Sequence, residues 1–193
     1  MGIEETREKI VSVADRLFSR FGFHKTSMDE IAKTSRKAKG SLYYHFASKE
    51  VLFREVVTKE VNQLKASLSA IVGSSDYTAG GKLKNYMITR MSVLNSATNY
   101  HEIIRSETYD HFEFVDDIRK ELDEWERNQI DLVLQEGKEK GEFHLDVDIR
   151  VMSDMLIMMI KGLEIPFFIH GRYVEYAPYF DDLSKVILKG LKE

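Results

Sequence analysis

Residues 24–54 read HKTSMDEIAKTSRKAKGSLYYHFASKEVLFR, and the fold turns on this stretch. Ser27-Met28-Asp29-Glu30 is a capping box: the Ser27 hydroxyl can accept a first-turn N–H while Glu30 reaches back to the Ser27 amide. The pattern predicts a short helix to about Thr34 with Met28, Ile31 and Ala32 inward. A tight turn at residues 35–37 leads to a second short helix over residues 38–46, with Leu42 and Phe46 inward. Ser48 then caps the next helix. Two short helices joined by a tight turn and braced on both sides make a helix-turn-helix. On the outer side of the second helix, Lys39, Ser41, Tyr43, Tyr44 and His45 cannot all be core. Adjacent tyrosines on a helix point about 100° apart, so at least one is exposed. Gly40 allows a backbone to approach a surface closely. Thymine methyls and phosphates are suitable partners for such a face.

Charge supports the same reading. The 193 residues carry 28 Lys plus Arg against 32 Asp plus Glu, a net −4 that taken whole argues weakly against nucleic acid. Within residues 20–54, eight cations face three carboxylates, a local +5. Residues 1–60 sum to +3 and residues 61–193 to −7. Basic charge is concentrated on the helix-turn-helix, and an acidic remainder would repel non-specific contact along a duplex.

Outward from this stretch the chain reads as all-α. Both prolines, Pro166 and Pro178, lie near the C-terminal end, and no Gly or Pro occurs between Gly81 and Gly137. Such a run favours long helices over strands. Ile10, Ala14, Leu17, Phe18 and Phe21 share one helix face, as do Ile118, Leu122, Trp125, Gln129, Leu132 and Val133. Polar residues 95–100 read as irregular, and Gly141 as a left-handed cap. About nine helices are expected. The absence of Cys excludes disulfides and thiolate chemistry. The most apolar stretch, residues 151–169, is broken by Asp154, Lys161, Glu164 and Pro166, so no membrane span is predicted and the cytoplasm is the expected location.

The segments F-x-x-x-G-F-x-x-T-S-M-x-x-I-A at residues 18–32 and K-G-S-L-Y-Y-H-F-x-S-K-E-x-L at residues 39–52 resemble the TetR family of transcriptional regulators. The specific resemblance is confined to residues 1–55; the rest agrees in length and helical layout. It implies a DNA-binding domain over residues 1–47 and a ligand-binding and dimerisation domain over 48–193, with 48–72 as the connecting helix. By the same resemblance Lys39, Gly40, Tyr43 and Tyr44 approach bases or neighbouring phosphates, and Ser27, Ser41, His45 and Lys49 hold the backbone. A homodimer would then present two recognition helices to a palindromic operator and leave it when a small-molecule effector binds. The turn departs from the family pattern. Arg36 replaces a glycine, so either a left-handed arginine is tolerated or the turn differs. Lys37 replaces an apolar residue, and Ala38 a hydroxyl cap. Arg36 and Lys37 are expected to add phosphate contacts.

The C-terminal region shows no catalytic motif, so no enzymatic activity is predicted. Tyr86, Met87, Arg90 and Met91 form a stripe on one helix. Tyr109, Phe112, Trp125, Met155 and Met159 extend the candidate lining of an apolar ligand cavity, and ordinary core packing is the competing reading. Arg90 and Arg105 could hold an anionic head group or form inter-helix ion pairs. His101, Glu102, Glu107, Asp110 and His111 do not converge in helical phase, so neither metal nor cofactor is assigned. Leu163, Phe167, Phe168, Phe180, Leu183 and Ile187 exceed what one helix face needs and are the expected dimer interface. An inducer-free DNA-binding dimer is the alternative function, and a helical small-molecule carrier or enzyme a more distant one.

Overall fold

The computed structural model describes the backbone of residues 2–109 and 113–191, and the side chains of 2–105 and 114–191. Among the described residues there are nine α-helices longer than six residues, one single-turn helix and no strand. They are α1 (Ile3–Phe21), α2 (Met28–Ser35), α3 (Lys39–His45), α4 (Lys49–Val72), α5 (Ala79–Ser96), α6 (Thr98–Tyr109), α7 (Asp116–Glu139), α8 (Ile149–Lys161), the single turn α9 (Tyr173–Tyr176) and α10 (Phe180–Gly190). The fold is all-α, as expected from the scarcity of helix breakers. The chain forms two compact units: Met1–Asn62 with Ala97–Asp116, and Gln63–Ser96 with Asp117–Glu193.

The first unit is built around α1. Ile10, Val11, Val13, Ala14 and Phe18 are buried, with Met28, Ile31 and Ala32 of α2, Leu42 of α3 and Leu52, Phe53, Val56 and Val57 of α4. Phe21, expected on the buried face, is instead exposed, because the buried arc turns toward Val11 and Val13. Aromatic edges close the core: Phe53 meets Phe18 at 5.2 Å and Phe23 at 4.9 Å between ring centroids. Phe23 also meets Phe114 at 5.6 Å, whose carbonyl accepts from Arg54 Nη1 at 2.7 Å. Such contacts add stabilisation beyond the apolar area they bury. The stretch read as irregular at residues 95–100 is a break at Ala97 alone, between two helices. Helix resumes there because the carboxylate of Glu60 accepts the amides of Asn99 and Tyr100, which have no partner inside the helix.

The second unit packs α5, α7, α8 and α10. Ala79 and Gly80 at the start of α5 donate their amides to the two oxygens of Glu142, each at 3.1 Å. Gly137 lies under the ring of Phe143, where a Cβ would stand 2.1 Å from a ring carbon. Gly141 adopts φ +69°, the left-handed cap expected after the long helix. That helix starts at Asp116, after a 3-10 turn at Glu113–Val115, and its Leu132 is exposed where the spacing had placed it inward. α8 ends at Lys161, and Ile165–Ile169 form one turn of π-helix.

Candidate nucleic-acid interface

Ser27 caps α2 from an extended backbone conformation, its Oγ accepting from the Glu30 amide at 3.2 Å. Glu30 Oε2 accepts in return from the Ser27 amide and hydroxyl, both at 2.8 Å. These bonds hold the Glu30 carboxyl below the usual carboxylate range, the amide first and the hydroxyl second. The capping box is therefore closed in both directions. At the other end Arg36 takes φ 57°, ψ 43°, the left-handed conformation. Its amide donates to Lys33 O at 3.1 Å, and the Lys37 amide to Ala32 O at 3.0 Å. This is a Schellman closure made with arginine where glycine is the common choice. The tight turn is thus kept, and the backbone strain falls on Arg36.

α3 starts at Lys39 with no side-chain cap from Ala38, as that residue's chemistry requires. Only Leu42 within α3 is buried. Tyr43 is 44% and Tyr44 75% exposed, on the same outer surface as Lys39 and Gly40, with Ser41 and His45 half-buried. A Cβ on Gly40 would meet nothing within 4 Å. The cations differ from one another. Arg36 is exposed. Lys39 pairs with Asp29 at 2.7 Å on the surface. Lys37 is directed back to α1, its Nζ donating to Thr6 Oγ1 at 3.1 Å. Lys49 donates to Phe23 O at 3.0 Å and stands 4.2 Å from the centroid of that ring. In this state Lys37 and Lys49 brace the head from within. Phe23 stands in the quoted F-x-x-x-G-F segment without a role assigned to it, and Thr6 carried no distinguishing signal in the sequence.

The stripe on α5 is deep core: Tyr86, Met87, Arg90 and Met91 are all fully buried. Arg90 spans two carboxylates: Nε and Nη2 donate to the two oxygens of Glu126 at 2.7 and 3.0 Å, and Nη2 also to Glu164 at 2.6 Å. The Tyr86 hydroxyl donates to Glu126 at 3.0 Å, and Arg119 stands 3.5 Å from Glu164. Burial, and then the charge of Glu126, push the Tyr86 phenol well above its ordinary range. Of the two readings of Arg90, the inter-helix ion pair is the one present. Glu126 and Glu164 were not singled out from the sequence, since they lie far apart in the chain and form no local pattern.

The other candidate lining residues do not share that environment. Met155 and Met159 are 55% and 40% exposed on the outer side of α8. This methionine face points outward rather than into a cavity. Trp125 is half-buried, its ring 5.8 Å from Lys65 Nζ. Arg105 is exposed, pairs with Glu102 at 2.8 Å and belongs to the first unit. The Tyr109 side chain and Phe112 lie outside the described residues, as do the side chain of Glu107, Asp110 and His111. No group of three or more His, Asp or Glu among the described residues could hold a metal ion. Of the expected dimer residues, Leu163, Phe167, Phe180 and Leu183 line one apolar groove of about 370 Å³ with Tyr176 and Tyr179. Phe168 and Ile187 are half-buried, while Val174 and Val186 beside them are exposed. No helix among the described residues is long and apolar enough to cross a membrane.

A braced helix-turn-helix with an exposed, tyrosine-bearing second helix defines the class: a DNA-binding transcriptional regulator. Residues 10–56 match the family described as bacterial regulatory proteins, tetR family. It is 26% identical over 194 aligned residues to the HTH-type transcriptional regulator QacR of Staphylococcus aureus, covering 97% of this chain and 98% of that one. A transcriptional regulator from Cytophaga hutchinsonii superposes with a TM-score of 0.81 at 23% identity, covering 96% and 98% of the two chains. The regulator FadR from Bacillus subtilis, solved in complex with stearoyl-CoA, superposes with a TM-score of 0.71 at 22% identity over 96% and 97%.

Proposed function

We propose that this protein is a cytoplasmic, homodimeric repressor that binds a palindromic operator through α3 and is released by a small lipophilic molecule. The outer face of α3 carries the reading. A helical glycine costs about 1 kcal/mol relative to alanine, and at Gly40 no internal contact calls for one. A surface approaching from outside accounts for its lack of a side chain. In this assignment Lys39, Gly40, Tyr43 and Tyr44 meet base edges and adjacent phosphates, and Ser27, Arg36, Ser41 and His45 hold the backbone. Lys37 and Lys49 act through Thr6 and Phe23, or swing out to phosphates when DNA arrives.

Residues 1–47 then form the DNA-binding domain, and residues 48–193 bind effector and dimerise. The apolar groove at Leu163, Phe167, Phe180 and Leu183, with Phe168 and Ile187 beside it, supports pairing with a second copy. Stearoyl-CoA bound to a regulator of the same fold supports a lipophilic effector. In this assignment a ligand entering beside Tyr86, Met87 and Met91 parts the buried Arg90–Glu126 pair, which would couple occupancy to a change of state. To shift the balance decisively it must favour the released state by several kcal/mol. No enzymatic activity is assigned.

Selection of duplexes from random DNA tests the reading, with native mass spectrometry reporting dimer mass and co-purified ligand. Enrichment of a two-fold symmetric sequence that Tyr44→Ala no longer binds is expected. A monomer that enriches no sequence would refute it. A dimer whose DNA affinity is unmoved by saturating stearoyl-CoA, and which carries no ligand of its own, would favour the inducer-free alternative.

A further inference from the structure

Helices α1, α4 and α6 of the first unit meet at Asn99, which has no exposed surface. Its Nδ2 lies 2.7 Å from Asp15 Oδ1 of α1, 2.9 Å from Glu60 Oε1 of α4 and 3.0 Å from Ser19 Oγ of α1. Glu60 also takes the first-turn amides of α6, Asn99 N at 3.2 Å and Tyr100 N at 2.8 Å. Two carboxylates from different helices therefore converge on one amide group. Asn99 Oδ1 is buried and accepts no hydrogen bond among the described residues.

The protonation state of this pair changes what it can hold. An ionised Glu60 only accepts, and three N–H groups point at it. A protonated Glu60 carries an O–H on one oxygen and accepts more weakly there, so its bonds to the three N–H groups are weakened. The like charge of Asp15, across the Asn99 amide, favours the proton. We propose that Asn99 is a positioning residue and that Asp15, Asn99 and Glu60 form a proton-sensitive clasp joining α1 of the DNA-binding head to α6, making DNA affinity respond to pH. The groups facing Glu60 are Asp15 from α1 and the Asn99 side chain and two main-chain amides from α6. Burial pushes the Glu60 carboxyl up to about 7, with the Asn99 and Tyr100 bonds opposing and Asp15 adding to the rise. A carboxyl in the ordinary range would be ionised throughout physiological pH; this one changes charge within it. Ionisation closes the clasp on the first turn of α6, and protonation loosens it.

The inference rests on the DNA-binding reading, so the test has an arm that needs no DNA. In the full-length protein, side-chain carboxyl carbon NMR is expected to show Glu60 titrating near neutrality, with the Asn99 and Tyr100 amide resonances moving over the same interval. Titration of Glu60 in the ordinary carboxylate range overturns the clasp. Affinity for a duplex selected by the protein is then measured between pH 6 and 8 at fixed ionic strength, in wild type, Glu60→Gln and Asn99→Ala. Glu60→Gln keeps the shape, cannot ionise and leaves the histidine contribution to the pH profile intact. Up to about a tenfold change in affinity is expected for each pH unit by which DNA shifts the Glu60 titration. That component should vanish in Glu60→Gln. Superimposable wild-type and Glu60→Gln profiles overturn the link to DNA even if the carboxyl titrates near 7. A protein that binds no duplex at any pH refutes the DNA-binding reading instead, and the carboxyl titration then decides the clasp alone. Asn99→Ala should lose the coupled amide shifts; if it does not fold, Asp15→Asn, which removes the like charge, should move the Glu60 titration down.

Discussion

Replacing Arg36 with glycine should make the protein more stable while weakening its hold on DNA. Arg36 occupies the left-handed region at φ 57°, ψ 43°. For an L-residue with a Cβ that conformation costs roughly 1–2 kcal/mol. Glycine avoids the clash but adds about 0.5–1 kcal/mol of backbone freedom to the unfolded chain. The difference between the midpoints of these ranges is a net gain of about 0.75 kcal/mol. The Schellman bonds are main-chain bonds and are retained in the variant. For a chain of this length, about 1 kcal/mol moves the melting temperature by about 2–4 °C. Urea denaturation of wild type, Arg36→Gly and Arg36→Ala separates backbone from charge. Alanine removes the guanidinium and keeps the strain. Arg36→Gly should exceed both others in stability, while both variants reduce the salt dependence of DNA affinity by about one phosphate contact. If Arg36→Gly and Arg36→Ala have the same midpoint, the strain argument is wrong. If neither changes the salt slope, Arg36 is not at a phosphate.

Three further outcomes follow from the second unit. Gly137→Ala places a methyl inside the Phe143 ring position and should cost about 1–3 kcal/mol by overpacking, read as a lower denaturation midpoint. Glu126→Ala removes one of the two carboxylates bonded to the buried Arg90, and breaking such a pair should cost about 3–5 kcal/mol. An unchanged midpoint would show that the guanidinium reaches solvent. At Glu142, burial opposes ionisation, but the Gly80 and Ala79 amides, with Thr78 and Lys140, hold the carboxyl below its ordinary value. A depressed folded-state value stabilises above the unfolded value of about 4.5 and fades as pH falls through the folded one. Glu142→Gln should therefore be less stable than wild type at pH 7, with the gap closing on acidification; a gap independent of pH would assign the effect to packing.

What could be read ahead of the structure was local. The Ser27–Glu30 box and an exposed tyrosine on α3 depend on neighbours close in sequence, and both are present; at Arg36 the sequence left two turns open, and the left-handed arginine is the one found. The candidate dimer residues Leu163, Phe167, Phe180 and Leu183 were found from excess apolarity, which marks a surface without naming what covers it. Met155 and Met159 were read as cavity lining and are exposed, because a helix with methionines on one side fits a cavity or an outer surface equally well. Lys37 was placed at a phosphate by its charge and Lys49 by the family resemblance; whether either lysine faces solvent, or instead Thr6 or the Phe23 ring, depends on a fold-level contact. Asn99 was missed for the same reason. Its partners Glu60 and Asp15 are remote in sequence, and the polar stretch containing it resembles a loop until Glu60 supplies the acceptor.

The arrangement of the two units also governs the order of folding. The first unit takes residues up to Asn62 and then Ala97–Asp116. When the helix-turn-helix leaves the ribosome, the Phe114 ring that packs on Phe23 and the α6 amides that donate to Glu60 do not yet exist. They arrive only after α4 and α5 have been made, several seconds of synthesis later. Until then Phe23 lacks part of its cover and Glu60 its donors. A truncation at residue 47 removes Lys49 and the rest of α4 together with the Phe114 ring that covers Phe23, so a fragment ending there is expected to be less stable than the first unit entire.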